Sequence, residues 1–116
     1  MTSETDKLLT AVQNGSVDAA EKAIEAGANI NALDEWGRTP LSHAAGNGYM
    51  RLVELLIAKK ARVDIRDLNN LTARDWAYRF GAPKIVSMLD AASGRQEGHA
   101  EQIQQRRNES GEREID

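Results

Sequence analysis

Glycine returns every 33 residues in this chain, at Gly15, Gly48 and Gly81, and Ala11, Ala44 and Ala77 keep the same step. The pairs Asp34/Asp67, Thr39/Thr72, Ala28/Ala61, Val53/Val86 and Leu56/Leu89 fall into the same register. Sliding the frame by one residue destroys the matches. A period between 20 and 50 residues means a supersecondary unit that cannot bury its apolar face alone and covers it by stacking on its neighbours. The chain therefore divides into units of about 1–33, 34–66 and 67–92, followed by a tail, 93–116. At 116 residues there is room for this one array and little else.

The middle unit shows what is being repeated. Thr39 is a helix cap, and Pro40 after it loses nothing, because the N–H it lacks would be unpaired in a first turn. Leu41, Ala44 and Ala45 then fall at i, i+3 and i+4, an apolar stripe whose small residues let a neighbouring helix approach closely. Asn47-Gly48 ends that helix, since both residues tolerate left-handed backbone angles. A second helix is predicted from about Met50 to Lys59. It buries Leu52, Val53, Leu55, Leu56 and Ile57 and leaves Arg51, Glu54, Lys59 and Lys60 outside. The stretch from Ala61 to Leu71 centres on the turn cluster Asp67-Leu68-Asn69-Asn70 and is predicted to project as a loop or hairpin.

The flanking units echo this pattern. Helices are predicted at about Thr5–Gln13 and Val17–Ala26, with Ser16 as a cap and Gly27 as a stop, and again at about Ala73–Phe80 and Pro83–Ala91. Thr72 and Asp75 have the spacing of a capping box, with Asp where Glu or Gln is usual. From Ser93 onward only Ala100, Ile103 and Ile115 are apolar. That is too little burial to offset the entropy of ordering the backbone, so the tail is predicted to be disordered, or at most a transient helix around Ala100 to Arg107.

Several classes of function drop out on composition and motif. A net charge of −3 gives no basic field able to displace counterions from a phosphate backbone, so nucleic acid is not an expected partner. The longest apolar run, Leu52 to Ala58, is broken by Glu54 and falls far short of the roughly 20 residues that cross a bilayer. The opening MTSETDK lacks the basic start and apolar run of a secretory signal, so a cytoplasmic protein is expected. There are no cysteines to build a disulfide framework or a thiolate metal site. No nucleophile elbow, zinc-protease, P-loop or dinucleotide fingerprint is present, and nothing gathers an acid, a base and a nucleophile, so neither an enzyme nor a cofactor or metal is expected. His43, on the first helix of its unit, reads as a hydrogen-bonded packing residue, and Asp34 and Asp67 as braces of their turns through backbone amides.

The run Asp34-Glu-Trp-Gly-Arg-Thr-Pro-Leu, then Ala44-Ala45, Asn47-Gly48, Leu52-Val53, Leu55-Leu56 and Ala61-Arg-Val-Asp, resembles the ankyrin repeat. The resemblance covers residues 4 to 92. Unit one carries the matching end, Ala26-Gly27-Ala28-Asn29-Ile30-Asn31. In unit three Asn70 replaces the turn Gly, Ala73 replaces Pro, and Arg74 replaces the buried Leu, as befits a polar end cap. Ser42 stands where the family often has His, which weakens the expected support of the loop, while His43 takes a position usually apolar. Lys60 replaces the helix-ending Gly of unit two.

The resemblance implies an all-α ankyrin-type solenoid of three stacked helix-turn-helix repeats with projecting loops, the repeat domain ending near residue 92. It also implies a non-catalytic protein–protein interaction module, monomeric when free, whose concave surface is made of loop tips and first helices. Mapped onto this chain, that surface is Glu35, Trp36 and Arg38 from the first loop, Arg66, Leu68, Asn69 and Leu71 from the second, and Asn47, Arg79 and Phe80 at the ends of first helices. Trp36 is the expected anchor, because an exposed ring on a loop tip buries much area with few rotors to freeze. Trp76 is expected to be core or end-cap packing. A stand-alone inhibitor or neutralising partner is one form of this function. The alternative is a scaffold that self-assembles through the solenoid ends, using Ala19, Ala20, Ala23 and Met88.

Overall fold

Each unit opens on a hydroxyl that caps its first helix. In the computed structural model, which describes residues 3–96, the Asp6 N–H donates to Ser3 Oγ at 3.0 Å to start α1 (Glu4–Asn14). Ser42 N–H donates to Thr39 Oγ1 at 3.1 Å to start α3 (Pro40–Gly46), with Pro40 in the first turn. At α5 (Ala73–Phe80), Thr72 and Asp75 exchange both bonds of a capping box. The second helices are α2 (Val17–Glu25), α4 (Met50–Ala58) and α6 (Pro83–Gln96). Ser16 caps α2, whereas no side chain caps α4.

The 33-residue glycines perform one task three times. Gly15, Gly48 and Gly81 have φ of 77°, 74° and 87°, the left-handed region that a side chain strains to enter. In each case the following N–H, of Ser16, Tyr49 or Ala82, reaches back to the carbonyl of Ala11, Ala44 or Ala77. The first helix thereby closes and the chain turns into the second. Lys60 and Asn70 hold the same region at φ 73° and 67°, where the neighbouring units have Gly27 and Gly37.

First helices stack as α1–α3–α5 and second helices as α2–α4–α6, giving two layers. No strand is formed among the described residues. The core lies between the layers and repeats in register: Leu8 and Leu41, then Ala11, Ala44 and Ala77, then Ala20 and Val53, then Ala23, Leu56 and Leu89 are all buried. Arg74, in register with Leu8 and Leu41, is exposed and reaches Asp90 at 2.6 Å. The end-cap expectation for Arg74 therefore holds.

Two boundaries differ from expectation. Leu55 and Ile57, placed with the buried face of α4, are only partly covered, because the apolar stripe of that helix is narrower than its composition suggests. The last helix continues through Ser93–Gln96, residues assigned above to the tail, and Ala92 is buried in the core against which this stretch continues. The remaining expectation, disorder over 97–116, lies outside the described residues.

Candidate functional site

Two loops, 30–38 and 63–71, project from the stacked first helices, and each is built around one carboxylate. Asp34 Oδ1 accepts the N–H groups of Trp36 and Arg38, both at 2.9 Å. Asp67 Oδ1 accepts those of Asn69 at 2.9 Å and Leu71 at 3.0 Å, the same four-residue turn one repeat later. The second oxygen ties each loop to the helix behind it: Asp34 Oδ2 lies 2.7 Å from His43 Nε2, and Asp67 Oδ2 accepts Trp76 Nε1–H at 2.7 Å. Histidine and tryptophan thus fill one register position and do one job. The loop support thought weakened by Ser42 is supplied by the next residue, His43.

These bonds set the charge of the site. Burial raises the pKa of Asp34, but the Arg38 amide, the His43 ring and the Trp36 amide together outweigh it and hold the carboxyl below its ordinary value. Asp67 follows the same balance: burial raises its pKa, while the Leu71 amide, the Trp76 indole, the Asn69 amide and the Arg38 charge bring it below the ordinary value. Both carboxylates are ionised at neutral pH and turned inward. The reading of these residues as turn braces rather than a catalytic pair agrees with this geometry.

Arg38 is where the two loops meet. Its Nε is buried 3.6 Å from Asp67 Oδ2, a contact too long for a hydrogen bond but close enough for an ion pair. Its guanidinium carbon lies 4.5 Å from the Trp76 ring centre and 5.7 Å from that of Trp36. Arg79 lies 6.0 Å from the same Trp76 ring. Trp36, Arg38, Trp76 and Arg79 form a ladder of alternating indoles and guanidiniums across units two and three, each step an attraction of about 0.5–1 kcal/mol where exposed. The loop tips are joined by one backbone bond, Leu68 N–H to the Trp36 carbonyl at 2.9 Å.

The expected surface residues divide accordingly. Trp36, Arg38 and Arg79 come together in the ladder. Glu35, Leu68 and Asn69 are exposed at the loop tips, and Leu68 at 77% is the most exposed large apolar side chain described. Leu71, in register with Arg38, is partly covered. Arg66 donates to the carbonyl of Asn70 at 3.0 Å and closes its own loop. Asn47 is exposed at the end of α3, and Phe80, 56% exposed, lays its ring over Gly48.

Trp76, expected as core or end-cap packing, is outside the core: it is half-buried, backs onto Gly46 and lies at the centre of the ladder. A signal was present in the sequence: Trp76 follows Asp67 by nine residues, as His43 follows Asp34. Among the described residues no group of three or more His, Cys, Asp or Glu side chains is arranged to hold a metal ion. Among them no helix is long and apolar enough to cross a membrane.

Comparison with known proteins agrees with this architecture. A family model described as ankyrin repeats, three copies, matches residues 8–96. Ankyrin repeat domain-containing protein 37 of Bos taurus is 36% identical over 66 residues, covering 57% of this chain and 42% of the relative. Inversin of Gallus gallus is 34% identical over 82 residues, 71% of this chain and 7% of that protein. Calmodulin-binding transcription activator 3 of Arabidopsis thaliana is 39% identical over 71 residues, 61% of this chain and 7% of the relative. The chain thus spans less than half the length of each of these three proteins.

Proposed function

The chain belongs to the ankyrin repeat family, whose repeats generally mediate protein–protein contact without catalysis, and from that premise we propose that it is a cytoplasmic protein-binding module, monomeric when free, that acts by covering a surface of its partner. An inhibitor or neutralising partner works in this way. The observation that carries the reading is the Trp36–Arg38–Trp76–Arg79 ladder on the loop side of the stack, flanked by exposed Leu68 and Phe80. Aromatic and Arg side chains are the groups that anchor protein interfaces. Here they are held in place before a partner arrives, because both loops are pinned by inward-turned carboxylates, so little conformational freedom is lost on docking.

Self-assembly through the ends has less to work with. Ala20 and Ala23 lie in the core, and Met88 packs partly against it. Ala19 remains exposed beside a shallow groove between α1 and α2.

Capture from extracts of the host with wild type and Trp36→Ala side by side tests the proposal. Wild type is expected to retain one protein in stoichiometric amount, and the variant to bind it more weakly by about 2 kcal/mol or more with a nearly unchanged melting temperature. A sharp fall in melting temperature would make Trp36 a packing residue and misplace the surface. A mass that climbs with concentration in light scattering would favour the scaffold.

A further inference from the structure

Charge on the loop side is sorted by depth. Asp34 and Asp67 face inward and are saturated by amides, the His43 ring and the Trp76 indole. Asp75, the acidic residue of α5, has its Oδ2 bonded to the backbone and hydroxyl of Thr72, and α3 has no acidic residue at all. Asp64, half exposed in the second loop, is already paired with Arg62 at 2.8 Å, and Glu35 is left exposed at the first loop tip. Against it stand Arg38, Arg66 and Arg79, and among the described residues neither Arg66 nor Arg79 lies within ion-pairing distance of a carboxylate. A chain of net charge −3 thus turns a cationic, aromatic-lined face outward on one side.

We infer that this face takes an acidic peptide segment of the partner protein, with carboxylates set against Arg38 and Arg79 and apolar side chains on Trp76 between them and on Trp36 and Leu68 beside Arg38. The inference rests on the protein-binding function proposed above and names the chemistry of its ligand. A guanidinium stacked on indole rings is already oriented and partly stripped of water, so its remaining N–H groups meet a carboxylate at low entropic cost. Nucleic acid is less suited: the guanidiniums are few and clustered, Glu35 interrupts them, and the whole-chain charge repels a phosphate backbone.

A random peptide library displayed on phage and panned on the full chain tests this. The selected peptides are expected to carry Asp or Glu interspersed with aliphatic or aromatic residues, and to bind more weakly at high salt. With the best of these as a synthetic probe, Arg79→Glu is expected to lower affinity about tenfold while lowering the melting temperature by no more than a few degrees. A probe with its acids changed to Lys should then prefer the variant, a reversal that mere loss of packing does not produce. Arg38→Lys, which keeps the charge and gives up the stack, should also weaken the acidic probe. Selection of neutral or basic peptides that still depend on Trp36 would overturn the acidic ligand and leave the protein-binding function standing. Absence of any binder sensitive to Trp36→Ala would overturn both. An oligothymidylate that binds this face more tightly than the selected peptide would overturn the inference in favour of a single-stranded nucleic acid.

Discussion

Asp67 ties together more groups than its counterpart Asp34. With 1% of its side chain exposed, it accepts from two loop amides and one indole and lies beside the Arg38 guanidinium. Removing the charge while keeping an acceptor, as in Asp67→Asn, leaves buried donors poorly matched and is expected to cost roughly 1–3 kcal/mol at neutral pH. Acid acts on the same bonds. The folded-state pKa values of Asp34 and Asp67 are depressed, so their contribution to stability is complete above the unfolded carboxyl value of about 4 and is lost as pH falls through the folded values. Thermal melts at falling pH should therefore show wild type losing stability below about pH 4, with a flatter profile for Asp67→Asn. A wild-type melting temperature that stays level through this range would mean that the carboxylates are not what holds the loops.

At the scale of one helix, α4 tests how sharply burial is divided. Leu56 is completely buried between the layers, while Leu55, one residue earlier and of identical chemistry, is partly covered and borders a shallow groove with Val17 and Met50. Leu56→Ala is expected to destabilise by roughly 2–5 kcal/mol through the cavity it leaves. Leu55→Ala should cost about 1 kcal/mol, since its lost area was partly wet and neighbours can settle into the space. Denaturant titration of the two variants checks the ordering, and equal losses would mean that α4 is rotated about its axis. The same helix has no side-chain cap at its start and ends on left-handed Lys60, a conformation that costs a residue with a Cβ roughly 1–2 kcal/mol. Tertiary packing of its apolar face, not local propensity, holds it in place.

At the scale of the molecule, stability is a sum of units and of the surfaces between them, and an end surface must be compatible with water. Arg74 meets that need at the third unit. It stands where Leu8 and Leu41 are buried, and its pair with Asp90, about half exposed on both sides, is screened by water and contributes little to stability of itself. Arg74→Leu is accordingly expected to leave the melting temperature within a few degrees of wild type while promoting association of copies. Sedimentation or light scattering across a concentration series would show this, and a variant as monodisperse as wild type would mean that the end face is covered by something other than Arg74.

The 33-residue register by itself determined the repeat number, the order of the helices, the caps at Thr39 and Thr72, and the left-handed turns at Gly15, Gly48 and Gly81; the cap at Ser16 followed from residue type. Each of these rests on bonds within about a turn of the chain or on a period that survives without coordinates. Trp36, Arg38 and Arg79 could be placed on the surface through the resemblance to the ankyrin repeat. Their meeting in one ladder could not, because Arg38 stacks on a tryptophan that belongs to the next unit, and such contacts depend on how far one helix pair is rotated on another. Packing likewise put Trp76 at the centre of the ladder and left Leu55 half covered. Local bonding is written along the chain; which faces end up opposite each other is decided only when the units pack.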